Sequence, residues 1–154
     1  MIILFLALTG IIFSIFFSSS EIALLSANKL QINVWKKQKI YLSNTASKII
    51  SDKEFYLFCI LVGNNIANML ATSFLTIALL NINQIPEESI FIIITLTILL
   101  FAEIIPKTIV REFSNLYLLL IAPILYFFGL FIYPIYLVFN FFSSSSKKDS
   151  IFLE

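Results

Sequence analysis

The chain has 154 residues, 60% of them hydrophobic and 12% charged, with a mean hydropathy of +1.00; a soluble domain carries about 25% charged residues, so this composition reads as an integral membrane protein. A net charge of +1 argues against nucleic acid or an acidic partner. With no histidine and one cysteine, Cys59, an internal disulfide, a His/Cys zinc site and His-based catalysis are excluded.

The first apolar run, residues 2–25, is long enough to cross a bilayer. Its opening, Met1 to Phe17, lacks the basic start and small-residue cleavage pattern of a signal peptide, so it reads as a mature span. Residues 27–54 change character: Lys29, Lys36, Lys37, Lys39, Lys48 and Lys53 stand against Asp52 and Glu54, with Ile32, Trp35 and Tyr41 interspersed. That mixture predicts juxtamembrane helices on the cytoplasmic side. The second span, residues 55–80, leaves through Asn81 to Glu88, a stretch without Lys or Arg that belongs outside. The third, residues 89–106, returns inward and closes on Lys107 and Arg111.

Residues 116–142 are long enough to cross, but Pro123, Gly129 and Pro134 interrupt them and Lys147 and Lys148 follow. Those lysines favour an inside carboxyl terminus, and with it a re-entrant or belt-like segment at the inner leaflet. Residues 143–154 read as a polar linker, and residues 1–142 as a membrane module. The expected fold is all-α, with three transmembrane helices, the juxtamembrane helices and the belt, the amino terminus outside and the carboxyl terminus cytoplasmic.

The polar groups inside the spans carry the chemistry. Glu103 lies within a span, where an ionisable group costs at least about 2.5 kcal/mol and marks a functional site by default. Pro106 has no N–H to offer the Ala102 carbonyl, which then neighbours the Glu103 carboxylate as a second hard oxygen. The plainer alternative is a kinked helix end with Glu103 paired to Lys107 at i,i+4. In the second span Asn64 and Asn68 share a face, with Asn65 turned about 100° away. Asn64 lies about 13 Å into its helix. In the first span Ser14 and Ser18 share a face, and Ser18 and Ser20 lie near the cytoplasmic end. These serines and asparagines could be interhelical glue, worth about 0.6 kcal/mol per contact. Gathered at one depth with Glu103, they form an oxygen-only cage suited to Mg²⁺, Ca²⁺ or Na⁺. Glu21, at the mouth of the first span, suits an interfacial role, bonding local backbone or a lysine. No nucleophile–base pair or acid dyad suggests an enzyme.

Three motifs add a resemblance. Phe17-Ser18-Ser19-Ser20-Glu21-Ile22-Ala23-Leu24-Leu25-Ser26, Gly63-Asn64-Asn65-Ile66-Ala67-Asn68 and Glu103-Ile104-Ile105-Pro106-Lys107-Thr108 resemble, in order and spacing, the signatures of the transmembrane domain shared by CorB/CorC proteins and the cyclin-M (CNNM) transporters. The resemblance implies a plasma-membrane homodimer that transports Mg²⁺, with export coupled to Na⁺, and whose full-length chain continues into cytosolic CBS domains. It also implies an ion site of Ser18, Asn64, Asn68 and Glu103, with Ser14, Ser20 and the Ala102 carbonyl beside them. Ala102 stands where the family has Gly, and its methyl could crowd packing or ion entry. The alternative within the same resemblance is a membrane-anchored Mg²⁺ sensor that moves no ions.

Overall fold

A computed structural model describes residues 2–80 and 86–150. Residues 81–85 of the expected outer loop and 151–154 of the expected linker lie outside them. The described residues are mostly helical, without strands: α1 (Ile2–Ser26), α2 (Lys29–Lys37), α3 (Ser43–Ser51), α4 (Lys53–Leu80), α5 (Glu87–Thr97), a π-helical segment (Ile98–Ile104), α6 (Ile105–Glu112) and α7 (Ser114–Ser150). Four stretches are long and apolar enough to cross a membrane: Ile2–Ser26, Lys53–Leu80, Glu88–Glu112 and Ser114–Asn140.

The α1–α4 pair is the centre of the bundle. Helices in lipid gain no hydrophobic drive from each other, so they pack where small residues let backbones approach. Ala7, Gly10, Ser14 and Ser18 recur every three or four residues along α1 and are buried. Gly63, Asn64, Ala67 and Ala71 form the matching stripe on α4. A Cβ built on Gly10 would lie 2.8 Å from the Ala71 amide nitrogen, and one on Gly63 would meet the Phe17 ring at 2.5 Å. Phe17 in turn packs on Phe128 of α7 at 4.9 Å between ring centroids.

Two short helices, α2 and α3, occupy the stretch expected to be juxtamembrane. Asn28 caps α2, its Oδ1 accepting from the Leu30 and Gln31 amides at 2.9 and 3.3 Å. Asn115 ties this end to α7: its Oδ1 accepts from the Asn28 amide at 2.7 Å, and its Nδ2 donates to Gln31 Oε1 at 2.7 Å. Ile32, Ala46, Ile49 and Ile50 point inward and join Leu118, Ala122 and Leu125 of α7 in one core.

Two boundaries differ from expectation. The third rod continues past 106 to Glu112, because Pro106 falls in the first turn of α6, where its missing N–H is tolerated. Pro123 and Pro134 do not break α7, which is one helix of 37 residues that stays helical through the described part of the expected linker, so the backbone does not turn back on itself as a re-entrant segment would. Each proline removes a single helical bond, and both lie on the exposed side of α7, away from its buried residues. Along α7 the buried residues Leu118, Ala122, Leu125, Gly129 and Ile132 form one stripe. Asn115 meets Asn28, Phe128 meets Phe17, and Tyr136 lies 4.9 Å from the Phe55 ring and 5.5 Å from that of Phe58.

Candidate ion site

The register of α1 against α4 sets two polar pairs. Ser14 Oγ donates to Asn68 Oδ1 at 2.5 Å, and four residues further on Ser18 Oγ donates to Asn64 Oδ1 at 3.3 Å. As the numbering rises by one turn on α1 it falls by one turn on α4, the signature of antiparallel helices. Ser14 and Ser18 are fully buried and Asn64 is 7% exposed. Asn65, turned away from the pair, is exposed, as the helical spacing predicts. Each amide thus holds its carbonyl oxygen toward α1, Asn64 in a buried place and Asn68 in a half-buried one. Ser20 behaves differently. It is buried, but its hydroxyl donates to the Phe16 carbonyl of its own helix at 2.7 Å and takes no part in the two pairs.

Glu103 sits in the π-helical segment, beside a fully buried Ala102. The Ile105 amide bonds to the Leu100 carbonyl, five residues back. Pro106 offers no donor to the next carbonyl in that register, Phe101, nor to its α-helical partner, Ala102. The change of register therefore falls on the residues beside Glu103. The Ala102 methyl is taken up within the packed interior.

The plainer pairing predicted for Glu103 is present: Lys107 Nζ donates to Glu103 Oε1 at 3.1 Å. The same ammonium also lies 2.9 Å from Glu21 Oε2, so α1 and α6 are joined through one lysine and two carboxylates. Glu21 thus bonds a lysine, as its interfacial position suggested, although its partner was not foreseeable from spacing. Among the described residues no hydrogen bond joins Glu103 to Asn64 or Asn68. The link is one of level: Ser18 lies one turn before Glu21 on α1, and Glu103 one turn before Lys107.

Glu103 also lines a cleft of about 470 Å³ between α4 and α5 with Thr72, Thr76 and Thr95. Thr72 follows Asn68 by one turn. These threonines were not singled out in the sequence, since lone hydroxyls in apolar runs look like ordinary helix residues. Among the described residues no group of three His, Cys, Asp or Glu gathers, so a cation here would rely on hydroxyl, amide and carbonyl oxygens around Glu103.

Comparison with known proteins agrees with the motifs. Residues 3–147 match the family model described as the cyclin M transmembrane N-terminal domain. The chain is 28% identical over 138 residues to a UPF0053 protein of Haemophilus influenzae, covering 88% of this chain and 32% of that one. It is 29% identical over 97 residues to the UPF0053 inner membrane protein YfjD of Escherichia coli, covering 62% of this chain and 23% of that one. The matches thus span about a quarter to a third of those relatives' length.

Proposed function

The chain belongs to the cyclin M transmembrane N-terminal domain family, and from that membership we propose that it moves Mg²⁺ outward across the plasma membrane, coupled to Na⁺, through a site of Ser, Asn and Glu oxygens. The observation that carries this proposal is the buried pairing of Ser14 with Asn68 and of Ser18 with Asn64, at the level of a carboxylate, Glu103, inside a span. Ser18, Asn64, Asn68, Glu103 and the Ala102 carbonyl are the working ligand set; Ser14 orients Asn68, and Ser20 supports the helix. Mg²⁺ gives up water reluctantly, so neutral oxygens would replace part of its shell while Glu103 supplies charge. Alternating access follows if the pocket first faces the cytoplasm and then the cleft with Thr72 and Thr76. No covalent chemistry is involved, and the protein is not an enzyme.

Three crossings and a belt fit α7 better than a fourth crossing. From Asn115 to Tyr136 the helix runs about 30 Å. Yet Asn115 meets the cap of α2, and Tyr136 meets Phe55 and Phe58 in the first turns of α4. A helix crossing the bilayer would by then have reached the opposite face. This arrangement supports an outside amino terminus and a cytoplasmic carboxyl terminus; family membership adds to the proposal cytosolic CBS domains and a homodimer for the full-length protein. Exposed apolar residues on α4 and α5, such as Met69 and Phe91, offer it a surface.

Purified protein should be stabilised against heat by Mg²⁺, and Glu103→Ala or Asn68→Ala should remove that stabilisation while leaving the fold intact. Unchanged stabilisation in both variants defeats the assignment. The engagement of Glu103 by Lys107 favours a second reading, a Mg²⁺ sensor without flux. Proteoliposomes separate the two, since a sensor binds Mg²⁺ and carries none.

A further inference from the structure

We propose that Lys107 is a tethered stand-in for the transported cation, holding Glu103 while the site is empty and passing to Glu21 when the cation arrives. The inference rests on reading Glu103 as a cation ligand. Its basis is a single ammonium placed 3.1 Å from Glu103 Oε1 and 2.9 Å from Glu21 Oε2. Without Lys107 two carboxylates would face one region of an apolar bundle with no counter-charge. With Lys107 and a divalent cation both on Glu103, a single carboxylate would serve three positive charges.

The geometry offers a way out of both situations. Lysine is a compact charge on a flexible four-carbon stem with three donors, so it can leave one acceptor and keep another. Because Lys107 already touches Glu21, releasing Glu103 needs a small rotation and leaves no charge unpaired. The three side chains are 26%, 36% and 29% exposed for Lys107, Glu103 and Glu21, which leaves room for a cation to approach. Glu21 follows Ser18 by one turn, so the exchange also reports occupancy of the site to α1. Lys107 is in this sense a positioning residue, and Glu21 is its receiving partner.

The test is Mg²⁺ affinity, measured calorimetrically on the whole purified chain and its variants. A partly exposed ion pair of this kind supports changes of about two- to five-fold. Lys107→Met should bind Mg²⁺ tighter by that factor, because the competitor is gone. Glu21→Gln should bind it weaker by a similar factor, because the lysine loses its alternative. In the double variant the effect of Glu21→Gln should vanish, and Lys107→Arg should restore competition. Loss of packing alone would weaken binding in all of them, so tightening in Lys107→Met is the distinguishing result. Unchanged or weaker binding in that variant overturns the proposal. If Lys107→Met does not fold, Lys107→Gln takes its place, with tighter binding in support and unchanged or weaker binding against. A wild-type chain that ignores Mg²⁺ removes the transport reading itself. A wild-type chain that binds Mg²⁺ through Glu103, with Lys107→Met no tighter, removes only the stand-in.

Discussion

Gly10 lies so close to Ala71 that a Cβ on the glycine would sit 2.8 Å from the Ala71 amide nitrogen and 2.9 Å from its Cα. The obstacle is backbone, which cannot rotate away. This contact brings α1 and α4 near enough for Ser14 and Ser18 to reach the asparagine amides. Gly10→Ala should therefore part the helices and cost about 1–3 kcal/mol, as overpacking does. Gly63→Ala meets the far end of the Phe17 ring, which can tilt, and should cost less. Thermal unfolding in detergent measures both, and a larger loss at Gly63 would contradict this view of the interface.

The two Ser–Asn pairs should not be equal. Ser14 bonds Asn68 at 2.5 Å, whereas Ser18 reaches Asn64 at 3.3 Å. Polar contacts between membrane helices average about 0.6 kcal/mol and reach about 1.7. A double-mutant cycle on Ser14 and Asn68 should fall in the upper half of that range, and one on Ser18 and Asn64 in the lower half. The looser Ser18 hydroxyl is freer to turn toward a cation. Ser18→Ala should accordingly reduce stabilisation by Mg²⁺ more than Ser20→Ala, whose hydroxyl is spent on the Phe16 carbonyl.

Outside the spans, the turn after α2 holds two non-glycine residues at positive φ, Lys39 at 55° and Leu42 at 66°. At Lys39 the amide of the next residue, Ile40, bonds the Trp35 carbonyl at 3.0 Å, the helix-ending pattern that usually has glycine in the left-handed position. Lys39→Gly removes the steric cost at the expense of a more flexible unfolded chain, for a net gain of about 0.5 kcal/mol. Leu42 has the same handedness but packs against the core, so Leu42→Gly should lose stability. Both shifts are readable by thermal denaturation, and a loss at Lys39 would show that its side chain packs usefully.

Much of the architecture was legible because membrane helices announce themselves by length and apolarity. The short helices α2 and α3 were legible because lysines are interspersed there with Trp35 and Ile32. The same-face relation of Asn64 to Asn68, and of Ser14 to Ser18, follows from helical periodicity alone. What periodicity cannot supply is register between helices. Hence the pairing of Ser14 with Asn68 and the bridge from Glu21 to Lys107 appear only once α1 is set against α4 and α6. Gly10 and Ala71 were likewise hidden, since a small residue in an apolar run shows its purpose only when a partner backbone lies against it. The prolines of α7 looked like breaks because local rules count a missing hydrogen bond, yet both fall on the exposed side of the helix and leave its buried stripe continuous.

Pro106 gives the last prediction. The Ile105 amide already bonds Leu100, and Pro106 donates to nothing, so the carbonyls of Phe101 and Ala102 stand where the π register gives way to the α register. Pro106→Ala adds an N–H that either carbonyl can take up. A hydrogen bond of this kind contributes about 1 kcal/mol, so the variant should melt higher than wild type in the absence of Mg²⁺. The same bond would withdraw an oxygen from any cation beside Glu103, so the further rise in melting temperature on adding Mg²⁺ should shrink. The two measurements are opposite in sign and come from one substitution. A higher melting temperature with an undiminished response to Mg²⁺ would remove the Ala102 carbonyl from the ligand set and leave Glu103 as the ligand on that helix.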